Sequence, residues 1–291
     1  LEDKYYPALY RAADSASIMA QSRHLSYIRS YSYLLTVAAG LGVYGINNKT
    51  SAIGAALLII GSIFISITMV LRKDEDTWYR ARAVAESVKT SAWRFMMRGE
   101  PYTDVPSIEI VKSQLRVRLR SILNEHKDLC QELGGKVSEE EQITAYMCDI
   151  RSKDLSERKL FYRQYRIDEQ RSWYARKSAY NMRHSNIWFS ILVGCQAIAV
   201  ILVTMRIAYP ECKFWPTEIF IVSAGFILTW IQVKRFRELA SAYGLTAHEI
   251  GVIRGELEEI KSESHFAQFV TDSESAFSRE HTQWQARKDV V

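Results

Sequence analysis

Uncharged apolar residues gather in two blocks, 31–71 and 187–233, while the rest of the chain mixes charged residues with aromatics. The first block divides at Asn47-Asn48-Lys49-Thr50 into stretches 31–47 and 51–71. The second divides at 206–216, which holds Pro210, Glu211, Lys213 and Pro216, into stretches 187–205 and 217–233. Each stretch comes close to the ~20 residues that a helix needs to cross a hydrocarbon core. The connections are too short to hold a domain. The pattern therefore predicts four membrane-crossing helices in two hairpins. Four buried helices of a soluble bundle are the competing reading, but that leaves unexplained why cations bracket every stretch and no charge interrupts its interior.

Outside the blocks the apolar spacing is helical. Trp78, Ala81, Ala85, Val88, Ala92 and Phe95 share one face of a helix from Asp74 to Arg98 that stops at Gly99-Glu100-Pro101, so the second span is expected to run straight into it. Phe236 to about Ser262 is read as the same kind of extension of the fourth span, and Ser152 to Asn186 as the approach to the third. Ser107 suits the N-cap of a helix carrying Ile108, Val111, Leu115, Ile122 and Leu129 and ending at Gly134-Gly135. Leu115, Val117 and Leu119 also alternate with Arg116, Arg118 and Arg120 as in a strand, but the surroundings favour helix. Further helices are expected from Ser138, with Glu139, Glu140 and Glu141 in its first turn, and from Ser273 to about Lys288.

Composition supports an all-α class. Five prolines and 13 glycines in 291 residues, with few alternating β-branched runs, leave little punctuation for a sheet. The net charge of +5 sits beside the apolar blocks, so membrane topology accounts for it and no nucleic-acid partner is expected. Arg23, Arg29, Arg72, Lys73, Arg176, Lys177, Arg183, Lys234, Arg235 and Arg237 flank the inner ends of the stretches, against Lys49, Arg206 and Lys213 at the outer turns. Cytoplasmic flanks carry the excess of Lys and Arg, which places both termini and the segment 72–186 in the cytoplasm. Tyr31, Tyr33, Trp188, Tyr209 and Trp215 fall where an aromatic belt is expected. The first 30 residues lack the short apolar run of a cleavable signal peptide.

Candidate chemistry is sparse. Cys130, Cys148, Cys195 and Cys212 show neither zinc spacing nor a disulfide framework, so no metal and no cofactor is expected. Gly40-Leu41-Gly42-Val43-Tyr44-Gly45 spells a dinucleotide fingerprint, but it lies inside an apolar span with no preceding strand, and close helix packing explains it better. His248-Glu249 lacks the second His of a zinc-protease helix, and no nucleophile elbow or phosphate loop appears, so no catalytic residue is assigned and the chain is not read as an enzyme. Polar residues in the stretches form stripes, with Ser62 and Ser66, Gln196 and Thr204, and Thr229 and Gln232 as candidate pore-lining positions. Such groups either line water or hydrogen-bond between helices, because hydrocarbon offers them no partner. In the run from Arg163 to Tyr174, the residues Arg163, Arg166, Arg171, Trp173 and Tyr174 combine guanidinium groups with aromatic faces and are candidates for an anionic ligand or a gate. The competing reading is a solvated helix with paired charges.

Three stretches resemble a known family: Trp78 to Phe95, with Trp78, Arg80, Arg82, Glu86, Lys89 and Trp93; Arg158-Lys159 with Arg163 to Tyr174; and Ser278 to Trp284, with Arg279, Glu280 and Trp284. They are similar to the SLATT family, the SMODS and SLOG associating two-transmembrane effector domains of bacteria. The layout resembles the tandem form, with a first hairpin unit at about 1–150 and a second at about 151–291. The resemblance implies a multi-pass effector of a bacterial conflict or defence system in the inner membrane. Such an effector is expected to form homo-oligomeric pores that depolarise or permeabilise the cell when a nucleotide signal or a separate sensor protein triggers it. A non-conducting scaffold that recruits partners through its cytoplasmic helices is the alternative. Leu9-Tyr10-Arg11 before the first hairpin and Phe161-Tyr162-Arg163 before the second suggest a parallel duplication.

Overall fold

The computed structural model describes residues 1–45, 48–103, 107–129, 132–133, 140–212 and 214–288. Among them are ten α-helices and no strand: α1 (Ala8–Gly45), α2 (Lys49–Arg72), α3 (Asp74–Met97), α4 (Ile108–Glu125), α5 (Ala145–Ser152), α6 (Leu155–Tyr162), α7 (Glu169–Ala208), α8 (Thr217–Lys234), α9 (Phe236–Glu259) and α10 (Glu263–Lys288). A π-helical turn, Arg163–Asp168, joins α6 to α7. Tertiary contacts divide the chain into a charged unit, Leu1–Gln21 with Asp74–Trp173 and Thr246–Val291, and an apolar unit, Ser22–Lys73 with Tyr174–Leu245.

The apolar unit turns its hydrophobic residues outward. Phe64, Val70 and Leu71 on α2 and Val200 and Ile207 on α7 are each more than 60% exposed. Three helical stretches, Lys49–Met97, Leu155–Ala208 and Thr217–Glu259, are long and apolar enough to cross a membrane, and only 11% of the most apolar window of each of the first two is buried. An apolar surface so extensive serves lipid or a partner rather than a core of this chain. The expected first span, 31–47, lies in α1 but ends on Ile46 and Asn47, outside the described residues.

Each hairpin has its own packing device. Leu41 Cδ1 comes within 3.3 Å of where a Cβ on Gly54 would stand, and Leu34 Cδ1 within 3.5 Å at Gly61. Two leucines one heptad apart thus rest on two glycines one heptad apart, so α1 and α2 run antiparallel at close range. In the second hairpin larger groups meet: Leu192, Ala224 and Ile227 form a small core with Trp188, Cys195, Phe226 and Ile231 against it.

The helices α2 and α8 do not run straight on into α3 and α9, contrary to the expectation from their sequence. Lys73 (φ 50, ψ 37) ends α2 and donates its N–H to Met69 O, and Arg235 (φ 47, ψ 38) ends α8 and donates to Ile231 O. Both are left-handed C-caps built without glycine, at a cost of about 1–2 kcal/mol each, and each carries a cation at the negative end of a helix. Because both residues are basic rather than Gly, neither carries the usual stop signal.

Two other boundaries also differ from expectation. Thr144, which accepts from Met147 N at 3.2 Å, caps α5, and Glu140 and Glu141 lie ahead of the helix. The expected start at Ser138 and Glu139 lies outside the described residues, as do Gly134 and Gly135. The last helix begins ten residues earlier than expected, at Glu263 instead of Ser273. The Ser107 cap forms, accepting from Glu109 N at 3.3 Å, and α4 is helical through Val117 with Val111, Leu115, Leu119 and Ile122 buried.

In the charged unit α3 is the central element, packed by α4, α5, α6 and α10. Ala81, Val84, Ala85, Val88, Ala92, Phe95, Met96 and Met97 are all buried. Small residues early in α3 permit close approach, and the later turns are enclosed on every side. Ser17 of α1 donates to Trp78 O at 3.2 Å, which ties the start of α1 to the start of α3.

Candidate functional site

The C-terminal turn of α3 ends inside the charged unit, where its last carbonyls have no helical partner. Two buried guanidinium groups fill that need. Arg151 of α5 donates from Nη1 to Phe95 O at 2.7 Å and to Tyr102 O at 2.8 Å. Arg158 of α6 donates from Nη1 to Met97 O at 3.0 Å and pairs with Glu263 of α10. Arg98, the left-handed cap of α3, reaches back to Arg151 O, and Gly99 N closes on Arg94 O at 2.8 Å. Cations at this end also complement the helix dipole.

One turn deeper, a polar cluster joins the segment before α1, α3, α6, the π-helical turn and α10. Arg166 donates from Nε to Glu274 Oε1 at 2.8 Å and from Nη2 to Glu274 Oε2 at 2.6 Å. Tyr162 donates its hydroxyl to the same Oε1 at 2.9 Å. Trp93 lies 5.9 Å and Phe277 5.0 Å from the guanidinium carbon, and Trp93 Nε1 donates to Tyr6 Oη at 3.0 Å. Arg166 Nη1 is buried and has no hydrogen-bond partner among the described residues.

Electrostatics follow from burial. Removal from water raises the Tyr6 and Tyr162 phenols above the ordinary tyrosine range, and the Glu274 charge adds to the rise for Tyr162. For Arg166 burial opposes the charge, but the Glu274 carboxylate more than offsets it and the pKa rises. Lys89, half-buried with its ammonium 5.8 Å from the ring centres of Tyr6 and Tyr10, is lowered by burial, with the Arg166 charge working in the same direction. Asp14 is raised by burial although Arg82 sits 3.0 Å away.

This arrangement brings Glu86, Lys89 and Trp93 of the α3 motif together with Arg166 of the second candidate group, in one place. Arg82 bridges Asp14 and Glu86, the latter at 2.7 Å. Trp78 stacks on Tyr79, and Arg80 pairs with Asp128 at the surface. Arg279, Glu280 and Trp284 fall on α10, their side chains outside the described residues. The Arg163–Tyr174 group does not converge. Arg163 faces Glu258 at 3.4 Å, Arg171 is exposed, Trp173 is half-buried, and Tyr174 belongs to the apolar unit, where it meets Tyr243. The wide π-helical turn accompanies this split, sending Arg166 inward while Arg163 stays at the surface. Sequence reasoning missed Tyr6, Arg151 and Glu274, and singled out Arg158 only within a family-resembling stretch, not for the carbonyl it holds.

In the apolar unit the four candidate hydroxyls are satisfied within their own helices. Ser62 donates to Ile59 O at 2.7 Å, Ser66 to Ser62 O at 3.1 Å, Thr204 to Val200 O at 2.9 Å and Thr229 to Gly225 O at 3.0 Å. Ser62 is buried and Ser66 half-buried, whereas Thr204, Thr229, Gln196 and Gln232 are exposed. No residue of the chain pairs with either glutamine amide among the described residues. Gly40 lies 3.6 Å from Ile219 by its missing Cβ and Gly42 faces open space, all within a continuous helix, so the glycine run is no dinucleotide loop. Among the described residues no group of His, Cys, Asp or Glu is placed to hold a metal ion, and Cys148, Cys195 and Cys212 are free thiols. Cys130 lies outside them. The arrangement clamps helices together.

Comparison with known families gives two adjacent matches. Residues 7–159 match SMODS and SLOG-associating 2TM effector domain 3, and residues 162–284 match SMODS and SLOG-associating 2TM effector domain 1. No curated protein and no solved structure matches the chain.

Proposed function

The chain belongs to the SLATT family as a tandem of two two-transmembrane effector domains, and on that premise we propose that it is a membrane effector of a bacterial defence system that oligomerises into a pore. In this reading it crosses the inner membrane four times as two hairpins, with both termini and the charged unit in the cytoplasm. The observation that carries the proposal is the pair of exposed amides, Gln196 and Gln232, on a largely apolar surface. An amide facing lipid leaves its donors and acceptor unpaired at a cost of several kcal/mol. Water in a channel or the same face of a neighbouring copy removes that cost. One chain offers too few spans to enclose a conducting path, so several copies surround it.

The trigger acts on the buried cluster of the charged unit, by a nucleotide signal or a separate sensor protein. Arg166 Nη1 has no partner among the described residues and Lys89 carries a charge that Arg166 feels, and an anion that engages them competes with Glu274 and loosens α10. In this reading the cluster is a trigger site and not a catalytic one, and nucleic acid has no role.

Purified protein in dye-loaded liposomes tests the proposal. Triggered flux is expected, and Gln196→Leu or Gln232→Leu changes its rate or ion selectivity. Absence of flux under every trigger, including cyclic nucleotides and partner proteins, sinks the pore. It leaves the non-conducting scaffold, which one surface favours: on α4, Ile110 and Val117 are at least half exposed amid Arg116, Arg118 and Arg120, a face suited to an acidic partner.

A further inference from the structure

Within the apolar unit α1, α2 and α8 line an open groove of about 980 Å³. Its polar end comes from one face of α1: Ser26, Arg29, Ser30 and Tyr33 recur at helical spacing. Its remaining wall is largely apolar, with Leu34, Ile65 and Phe226 leading along the span. No acidic residue lines it. Arg29 is exposed, and the bond it makes, from Nε to its own helix at Leu25 O (3.3 Å), leaves both terminal nitrogens of the fork available.

The surroundings add positive charge. Lys234, at the inner end of α8, has its ammonium pKa lowered first by burial and then by the charges of Arg29 and Lys177. Three cations therefore share this end of the apolar unit. An arginine fork among hydroxyls recognises phosphate oxygens, and a contiguous apolar wall recognises an acyl chain. The size lies at the upper end of ordinary ligand pockets, so a head group and part of a chain fit together.

We propose that this groove binds a phospholipid with a net negative head group, its phosphate on Arg29, Ser26 and Ser30 and one acyl chain along Leu34, Ile65 and Phe226. The apolar wall distinguishes the ligand from a free phosphate ion, which has no use for it. The inference rests on the membrane placement of the apolar unit and names a ligand for it. A lipid held there bridges both hairpins, since α1 and α2 belong to the first and α8 to the second.

The test uses the full chain, purified in detergent, with thermal melts and native mass spectrometry in the presence of phosphatidylglycerol, phosphatidylcholine or inorganic phosphate. Phosphatidylglycerol is expected to raise the melting temperature and remain bound. Arg29→Ala lowers that affinity about tenfold or more, as loss of a charge-assisted hydrogen bond does. Arg29→Lys retains part of it, and Arg237→Ala, an exposed cation that does not line the groove, leaves it unchanged. Equal retention of both lipids, indifference to Arg29→Ala, or full stabilisation by inorganic phosphate alone each overturns the proposal. Alkaline washing of membranes carrying the Arg29→Ala protein separates the two readings: release into the wash counts against membrane insertion itself, while retention without lipid selectivity counts against the groove alone.

Discussion

Arg166 and Glu274, 108 residues apart in sequence, face each other through two parallel hydrogen bonds of 2.8 and 2.6 Å with both side chains almost fully removed from water. The pair fastens α10 to the π-helical turn that precedes the third span. Removal of two charges from water is costly, and only a matched fork and carboxylate offset it. Tyr162 satisfies a further lone pair of Glu274, while Arg166 Nη1 remains unfilled. The clamp is therefore strong when intact and sensitive to loss of either partner.

Substituting one partner alone exposes that sensitivity. Glu274→Leu or Arg166→Met is expected to destabilise the charged unit by about 3–5 kcal/mol, because it strands a buried charge. The double substitution Arg166→Met with Glu274→Leu recovers much of the loss. Thermal melts of the four proteins in one detergent, with limited proteolysis reporting release of α10, give the coupling directly. Additive single effects would show that the pair does not act as a unit.

Trp93 tests packing against hydrogen bonding. Trp93→Phe keeps most of the ring contacts to Tyr162 and Phe161 but removes the donor to Tyr6 Oη, for an expected loss of about 1 kcal/mol. Trp93→Ala leaves a cavity and costs about 3–5 kcal/mol. Denaturant midpoints separate the two.

Two arginine pairs of unlike burial should differ in worth. Arg151→Met leaves the carbonyls of Phe95 and Tyr102 without their donor and is expected to cost ~3 kcal/mol. Arg80→Ala breaks a surface pair with Asp128, both side chains about half exposed, and should cost at most ~1 kcal/mol. Equal losses would contradict the burial argument.

Stability should depend on pH through the same cluster. Tyr6 and Tyr162 have raised folded pKa values, so above pH ~10 the unfolded chain loses phenolic protons that the folded chain keeps. The folded state then binds more protons, and stability falls as pH climbs past that point. Phenolate absorbance from these residues should appear together with loss of tertiary signal rather than before it. Lys89 acts in the opposite sense: its lowered folded pKa means the unfolded chain binds more protons between that value and ~10.4, so its contribution to stability rises with pH there. Lys89→Met should abolish that rise in melts taken across the alkaline range.

The chain's own pattern determined a good part of this protein. Apolar stretches in α2, α7 and α8, the Ser107 cap, the termination of α3 before Pro101 and the helical face from Ala81 to Phe95 were all legible, because hydropathy and capping act between residues a few positions apart. The breaks at Lys73 and Arg235 were not, since a basic residue in a left-handed cap carries no local mark. Nor was the inward turn of Arg166. In sequence it stands among Arg163, Asp168 and Arg171, and a run of that kind is ordinarily solvated. Its burial depends on Glu274, which arrives from a helix 108 residues away, and on a π-helical turn that separates it from Arg163. Gly54 and Gly61 gained meaning only when Leu41 and Leu34 were seen lying against them. Tertiary structure decided these points because the free energy of a buried charge or a close helix contact belongs to a pair of distant residues, and neither member holds it alone.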